Sequence, residues 1–173
     1  MKFVLASVIL LFRLSFPFKI NAQSPYVLPY PSFMLGNPFY KISLIKDEIL
    51  RYWYFGNFGQ FKYNLKMSDK YLVESKTLFE YSQYLLGYKA LLKSDFYFSN
   101  TLPNLVKADK NNKNTAGNRL LLKKASLKHI EVLKKINGEV PENYLWQPEK
   151  GASTYLKLRK TIEKSISIRQ KYL

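Results

Sequence analysis

The residue types that carry most enzyme chemistry are scarce in this chain. It has one histidine, His129, and no cysteine. Disulfides, thiolate metal sites and thiol nucleophiles are therefore excluded, and a metal would need carboxylate oxygens. Asp47 and Glu48 are adjacent, so on a helix they diverge, and Glu139 and Glu142 fall in a connector. Neither pair has the arrangement of a calcium cage or a bridged dimetal site. Carboxylates that meet only in three dimensions, as in glycoside hydrolysis, leave no spacing to read, and nothing selects such a pair here. There is no glycine-rich phosphate loop, no Gly-x-Ser-x-Gly elbow and no His-Glu-x-x-His. His129 falls on an apolar helical stripe and is expected as a packed residue. The expectation is a non-enzymatic protein with no cofactor, no metal and no small-molecule substrate.

What the chain has in excess is lysine. The formal charge is +16. Residues 23–106 hold nine basic and six acidic groups, whereas residues 107–173 hold sixteen and six. A field of that sign attracts anionic surfaces and polymers. Lys124, Lys128 and Lys135 share one side of a predicted helix, and Lys157, Lys160 and Lys164 recur three and four apart on another. These six are the candidate contacts to an anionic polymer: a cell-wall polymer, an anionic lipid surface or nucleic acid. A solvated face of a lysine-rich helix would look the same. The abundance of Lys, Asn, Ile, Phe and Tyr also fits the composition that AT-rich genomes produce.

The elements that must position these residues can be read in order. Residues 1–22 have the pattern of a secretory signal peptide. Lys2 precedes an apolar run from Phe3 to Phe12, Arg13 ends it, and Ala22 is a small residue for cleavage. The run is too short to span a bilayer, which takes ~20 residues. Export without disulfides leaves packing or partners to hold the fold. Residues 23–37 carry Pro25, Pro29 and Pro31 and cannot be helical. Their many apolar side chains call for an extended strap laid along the helices. Residues 38–173 follow as a helical domain.

In that domain Asn37-Pro38 reads as a helix start, a capping side chain followed by a residue with no amide to satisfy. The first helix covers 38–55, with Ile42, Ile45, Ile49 and Trp53 as its core face and Asp47 and Glu48 opposite. Gly56 and Gly59 flank a break. A second helix covers 57–80, and Ser68 and Ser75 on its stripe call for close approach of a neighbour. A third covers 82–108, kinked or broken at Pro103. A fourth covers 116–137 with stripe Leu122, Ser126, His129, Leu133 and Ile136, ended by Gly138 in the left-handed conformation. A connector holding Tyr144, Leu145 and Trp146 leads to a fifth, starting near 148 or 153, whose stripe is Tyr155, Leu158, Ile162 and Ile166. No strand-period segment is visible. Short connectors between helices predict an all-α, up-and-down bundle of four to five helices preceded by the Pro/Tyr-rich strap.

Several short segments resemble the bacterial domain of unknown function DUF5667. Leu28-Pro29-Tyr30-Pro31, Pro38-Phe39-Tyr40 and Lys46-Asp47-Glu48-Ile49 match its strap, turn and first helix. Lys70-Tyr71-Leu72-Val73-Glu74-Ser75 and Lys128-His129-Ile130-Glu131-Val132-Leu133 are similar to later segments, so the resemblance spans about 26–135. Ser43 and the aromatic run Tyr52-Trp53-Tyr54-Phe55 depart from that pattern. The resemblance implies an exported or envelope-associated helical domain and carries no catalytic residues. The functional expectation is a cell-envelope module, periplasmic, cell-surface or secreted, that binds another envelope protein or associates with itself. Binding of an anionic polymer is the alternative.

Overall fold

The computed structural model describes residues 24–31, 33 and 37–173. The signal-peptide reading of 1–22 lies outside them. The fold is an all-helical, up-and-down bundle. Among the described residues its helices are α1 (Tyr40–Trp53), α2 (Gly56–Glu80), α3 (Tyr84–Ser99), α4 (Thr101–Lys110), α5 (Ala116–Glu139) and α6 (Leu158–Gln170). Helices α3 and α4 are the third predicted helix, interrupted. Pro103 has no amide and its ring crowds the carbonyl of residue 99, so the rod breaks there. Thr101 closes the break by donating its hydroxyl to the Phe98 carbonyl at 2.6 Å.

Helix α2 is the central rod and is buried on nearly every side. Its small residues bring α3 close, as their place on the stripe required. The hydroxyls of Ser68 and Ser94 each donate to the other's carbonyl, at 3.0 and 2.9 Å, and Ser75 donates to the Gly87 carbonyl at 2.9 Å. A Cβ on Gly87 would stand 2.7 Å from the Phe79 ring, so glycine is needed at this crossing. The core runs as one layer through Leu72, Leu91, Leu133 and Ile162, and as a second through Phe61, Phe98, Leu105 and Leu122. The strap lies on it by Tyr26 and Leu28, which are half-buried, while Val27 and Tyr30 face solvent.

Four expectations need correction. The segment between α5 and α6 is not plain connector: Tyr144–Trp146 (β1) and Thr154–Leu156 (β2) pair antiparallel, Tyr144 opposite Leu156. Strands of three residues are too short to leave a visible period of two. Helix α6 accordingly starts at Leu158, and Tyr155 lies exposed on β2 rather than on a helical core stripe. Gly138 does not terminate α5, which continues through Glu139 to a β-region cap at Val140. The left-handed turns fall instead at Ser82 and Asn112, with φ of 58° and 54°; the amides that follow reach back to the Leu78 and Ala108 carbonyls.

The fourth correction concerns α1. Asn37 is not the cap and Pro38 is not the first helical residue: the Asn37 side chain accepts from the Phe39 amide at 2.9 Å in a turn that precedes the helix, Phe39 stands at the cap position, and regular helix runs from Tyr40 to Trp53. The face turned to the bundle is the opposite of the one expected. Ile42, Ile45 and Ile49 are 62, 62 and 60 % exposed, and Trp53 is 78 % exposed. Tyr40, Leu44, Asp47 and Leu50 face inward instead. The cause lies in what α2 and α3 present there: Tyr63, Lys70, Tyr71, Lys93 and Tyr97, which need acceptors rather than more hydrocarbon. Lys70 pairs with Asp47 and donates to the Ser43 hydroxyl at 2.8 Å. Gln60 donates to the Tyr54 carbonyl at 2.7 Å, and the Tyr63 hydroxyl donates to the Asp47 carbonyl at 3.3 Å.

Candidate functional site

Three features of the described residues have functional chemistry, and the first is sealed. Arg169 of α6 is fully buried and pairs with Asp95 of α3. The same guanidinium donates to the Ser94 hydroxyl at 2.8 Å and, through Nε, to His129 Nδ1 at 3.1 Å. Its carbon lies 4.9 Å from the centre of the Phe98 ring. Ser165 donates to the other Asp95 oxygen at 2.7 Å. Because Arg169 can only donate, His129 must accept at Nδ1 and carry its proton on Nε2. That proton goes to Asp69 of α2 at 2.7 Å, and the remaining Asp69 oxygen accepts from the Tyr26 hydroxyl of the strap at 2.5 Å. The chain Tyr26–Asp69–His129–Arg169–Asp95 therefore joins the strap to α2, α5, α6 and α3. Every functional atom in it is spent on a neighbour, which gives it the character of a lock.

Burial, reinforced by the Arg169 charge, holds the His129 imidazole below its ordinary pKa of 6.5, although Asp69 opposes this. The unfolded chain takes up a proton there below pH 6.5 and the folded chain does not. Stability from this group is thus present above 6.5 and lost as pH falls. Melting temperature should decline from about pH 7.5 to about pH 5, and a His129→Gln variant, less stable throughout, should show a flatter decline. Equal slopes in both would place the acid sensitivity elsewhere.

The second feature is the outward face of α1. Ile42, Ile45, Ile49 and Trp53 form its stripe, with exposed Tyr52 and Phe55 at the C-terminal end and Phe39 at the other. Phe33 meets Phe39 with ring centres 5.7 Å apart and extends the apolar surface. Eight large apolar side chains exposed together make a contiguous patch rather than the scattered single residues of an ordinary surface, and such patches mark interaction sites. By helical spacing Lys41 and Lys46, both exposed, flank the stripe on its two sides.

The third is an open groove between α3, β2 and α6. Lys157, Lys160 and Lys164 line it together with Tyr88, Tyr155, Thr161, Glu163 and Ser167. Cations, hydroxyls and two phenol rings in one groove suit an anionic chain, although Glu163 opposes it. The six sequence-predicted lysines thus divide. The structure gathers the three of α6, one of which, Lys157, precedes the helix. The three of α5 do not line this groove. Lys128 is paired with Glu131 at 2.7 Å and Lys135 reaches Glu139 at 3.9 Å, while exposed Lys124 contributes its backbone carbonyl to the Ser24 hydroxyl at 2.8 Å.

Comparison with known proteins gives no match. Family models, curated proteins and solved structures were all compared with the chain. The physical features therefore stand on their own. Among the described residues no group of three or more His, Cys, Asp or Glu side chains could hold a metal ion, and no helix is long and apolar enough to cross a membrane. Sequence reasoning identified His129 as packed but missed Asp69, Asp95 and Arg169. The signal was present: Arg169 falls on the stripe Leu158, Ile162, Ser165, a charge on the buried side of a helix.

Proposed function

We propose that this chain is an exported, non-catalytic docking module of the cell envelope, which attaches to another envelope component through the outer face of α1. The observation that carries the reading is the reversal of that helix. Its inward side joins polar contacts from Ser43 and Asp47 to the packing of Leu44 and Leu50, whereas its isoleucine and tryptophan stripe meets water. A stripe left in water is unfavourable by roughly 1.5–3 kcal/mol per large side chain relative to burial, so covering it is a strong driving force. The signal-peptide pattern of residues 1–22 supports the envelope assignment.

The test is fractionation. The parent chain should sediment with envelope material. An Ile45→Glu/Ile49→Glu variant, altered only at exposed positions, should be released into the supernatant with unchanged helical content. A variant that sediments like the parent would overturn docking through α1.

A second reading is favoured by the α6 groove: binding of an anionic polymer by Lys157, Lys160 and Lys164. Changing all three to Glu should abolish retention on a polyanion column at ~0.1 M salt, where the Debye length is about 10 Å. If parent and variant elute alike, the positive charge is compositional.

A further inference from the structure

Resting on the docking reading, we infer that the component covering α1 is an anionic lipid surface, with the helix lying flat in the headgroup region. The first argument is the kind of side chain and where it sits. An interfacial helix carries aliphatic and aromatic groups along one face and basic residues beside them. Helix α1 has Ile42, Ile45 and Ile49 at the centre and Tyr52 and Trp53 at one end, with Phe33 and Phe39 at the other. Lysines flank both sides, their stems able to follow the apolar surface while the ammonium groups reach phosphate.

Charge supplies the second argument. Residues 23–173 carry 25 basic against 12 acidic groups, so two exported copies repel. Local acids cannot offset this at a symmetric α1 contact. Asp47 is turned inward onto Lys70, and Glu48 is held by Arg51 of the same helix at 3.5 Å. Lys41 and Lys46 of one copy would find no unspent carboxylate on α1 of the other. An anionic bilayer supplies what a second copy lacks, a broad apolar layer beneath a negative plane.

The third argument is mechanical. Helix α1 is fastened from beneath by polar contacts to Lys70, Gln60 and Tyr63, and these remain intact while the outer face inserts. No opening of the core is required, so the fold can present the helix as a preformed surface.

The experiment uses the full chain with Trp146→Phe, which leaves Trp53 as the only indole. Vesicles of phosphatidylglycerol should shift Trp53 emission to the blue and carry the protein in flotation. Vesicles of phosphatidylcholine should bind it more weakly by about tenfold or more, since each lysine at an anionic surface adds appreciable affinity. Ile45→Glu/Ile49→Glu in the same background should lose both shift and flotation. Flotation of that variant equal to the parent, with Trp53 unshifted, would place lipid binding elsewhere in the chain, in the lysine groove or residues 3–12, and overturn the inference. Equal binding to both lipids would overturn the anionic assignment. If phosphatidylglycerol fails but the double variant still loses sedimentation with envelope material, or loses a concentration-dependent mass in ultracentrifugation, α1 docks onto protein and only the lipid assignment falls. If nothing measured depends on Ile45 and Ile49, both readings fall.

Discussion

Arg169→Ala should cost about 3–5 kcal/mol, the largest single-site loss expected outside the aromatic core. The residue is fully buried, and removing it leaves the Asp95 carboxylate facing an empty space in the interior. It also strips His129 Nδ1 and the Ser94 hydroxyl of their donor. Against a total domain stability of about 5–15 kcal/mol, this brings the chain near the unfolding threshold. Asp95→Ala should be comparably damaging. Combining the two should cost much less than their sum, because the second change removes the orphan that the first creates. Denaturant unfolding of the parent, both singles and the double gives the cycle. Additive losses would mean that Arg169 and Asp95 are not coupled as their geometry states.

The second large effect is alkaline. Burial raises the phenols of Tyr26, Tyr63 and Tyr71 above their ordinary value of 10.0, with nearby Asp69 adding for Tyr26 and neighbouring tyrosines for the other two. Burial, with Glu74 adding, lifts Tyr40 to about 12. Above pH 10 the unfolded chain gives up these protons and the folded chain retains them. The stabilisation is complete below pH 10 and is lost as pH climbs through the folded values, between 10 and about 12 for Tyr40. Tyr26 holds the strap to Asp69, while Tyr40, Tyr63 and Tyr71 lie between α1, α2 and α3. Tyrosinate absorbance should therefore rise cooperatively, together with loss of helical ellipticity. Smooth titration of the phenols in a helix-retaining protein would contradict the packing described.

Particular residues show which parts of this structure could be read in advance. Ser68 and Ser75 announced the close α2–α3 crossing, because a small side chain on a core stripe has no other packing use. The helical pattern and short connectors led to the bundle, and Pro103 to the break after α3. The orientation of α1 was not legible. Periodicity shows that Ile42, Ile45 and Ile49 share a face, but the direction of that face depends on Lys70, Tyr71 and Tyr97, which come from other helices. The buried lock was half legible. Arg169 on an apolar stripe signals a buried charge, whereas its partners Asp95 and His129 lie 74 and 40 residues away. The pairs Lys128–Glu131 and Lys135–Glu139 stand three and four apart on one helix and were within reach of spacing, whereas the groove of Lys157, Lys160 and Lys164 depends on Tyr88 from another helix.

The central claim is that the outer face of α1 is a contact surface and not merely exposed. The chain has no cysteine, so a single introduced one can be labelled uniquely. A nitroxide at Ile49→Cys is compared with one at Leu120→Cys, an equally apolar and exposed position on α5. With the protein free, both labels should collide readily with a water-soluble paramagnetic relaxant. On addition of phosphatidylglycerol vesicles or envelope membranes, the label at 49 should become shielded from that relaxant while the label at 120 stays accessible. Accessibility at 49 that remains unchanged, or falls no further than at 120, would contradict the account.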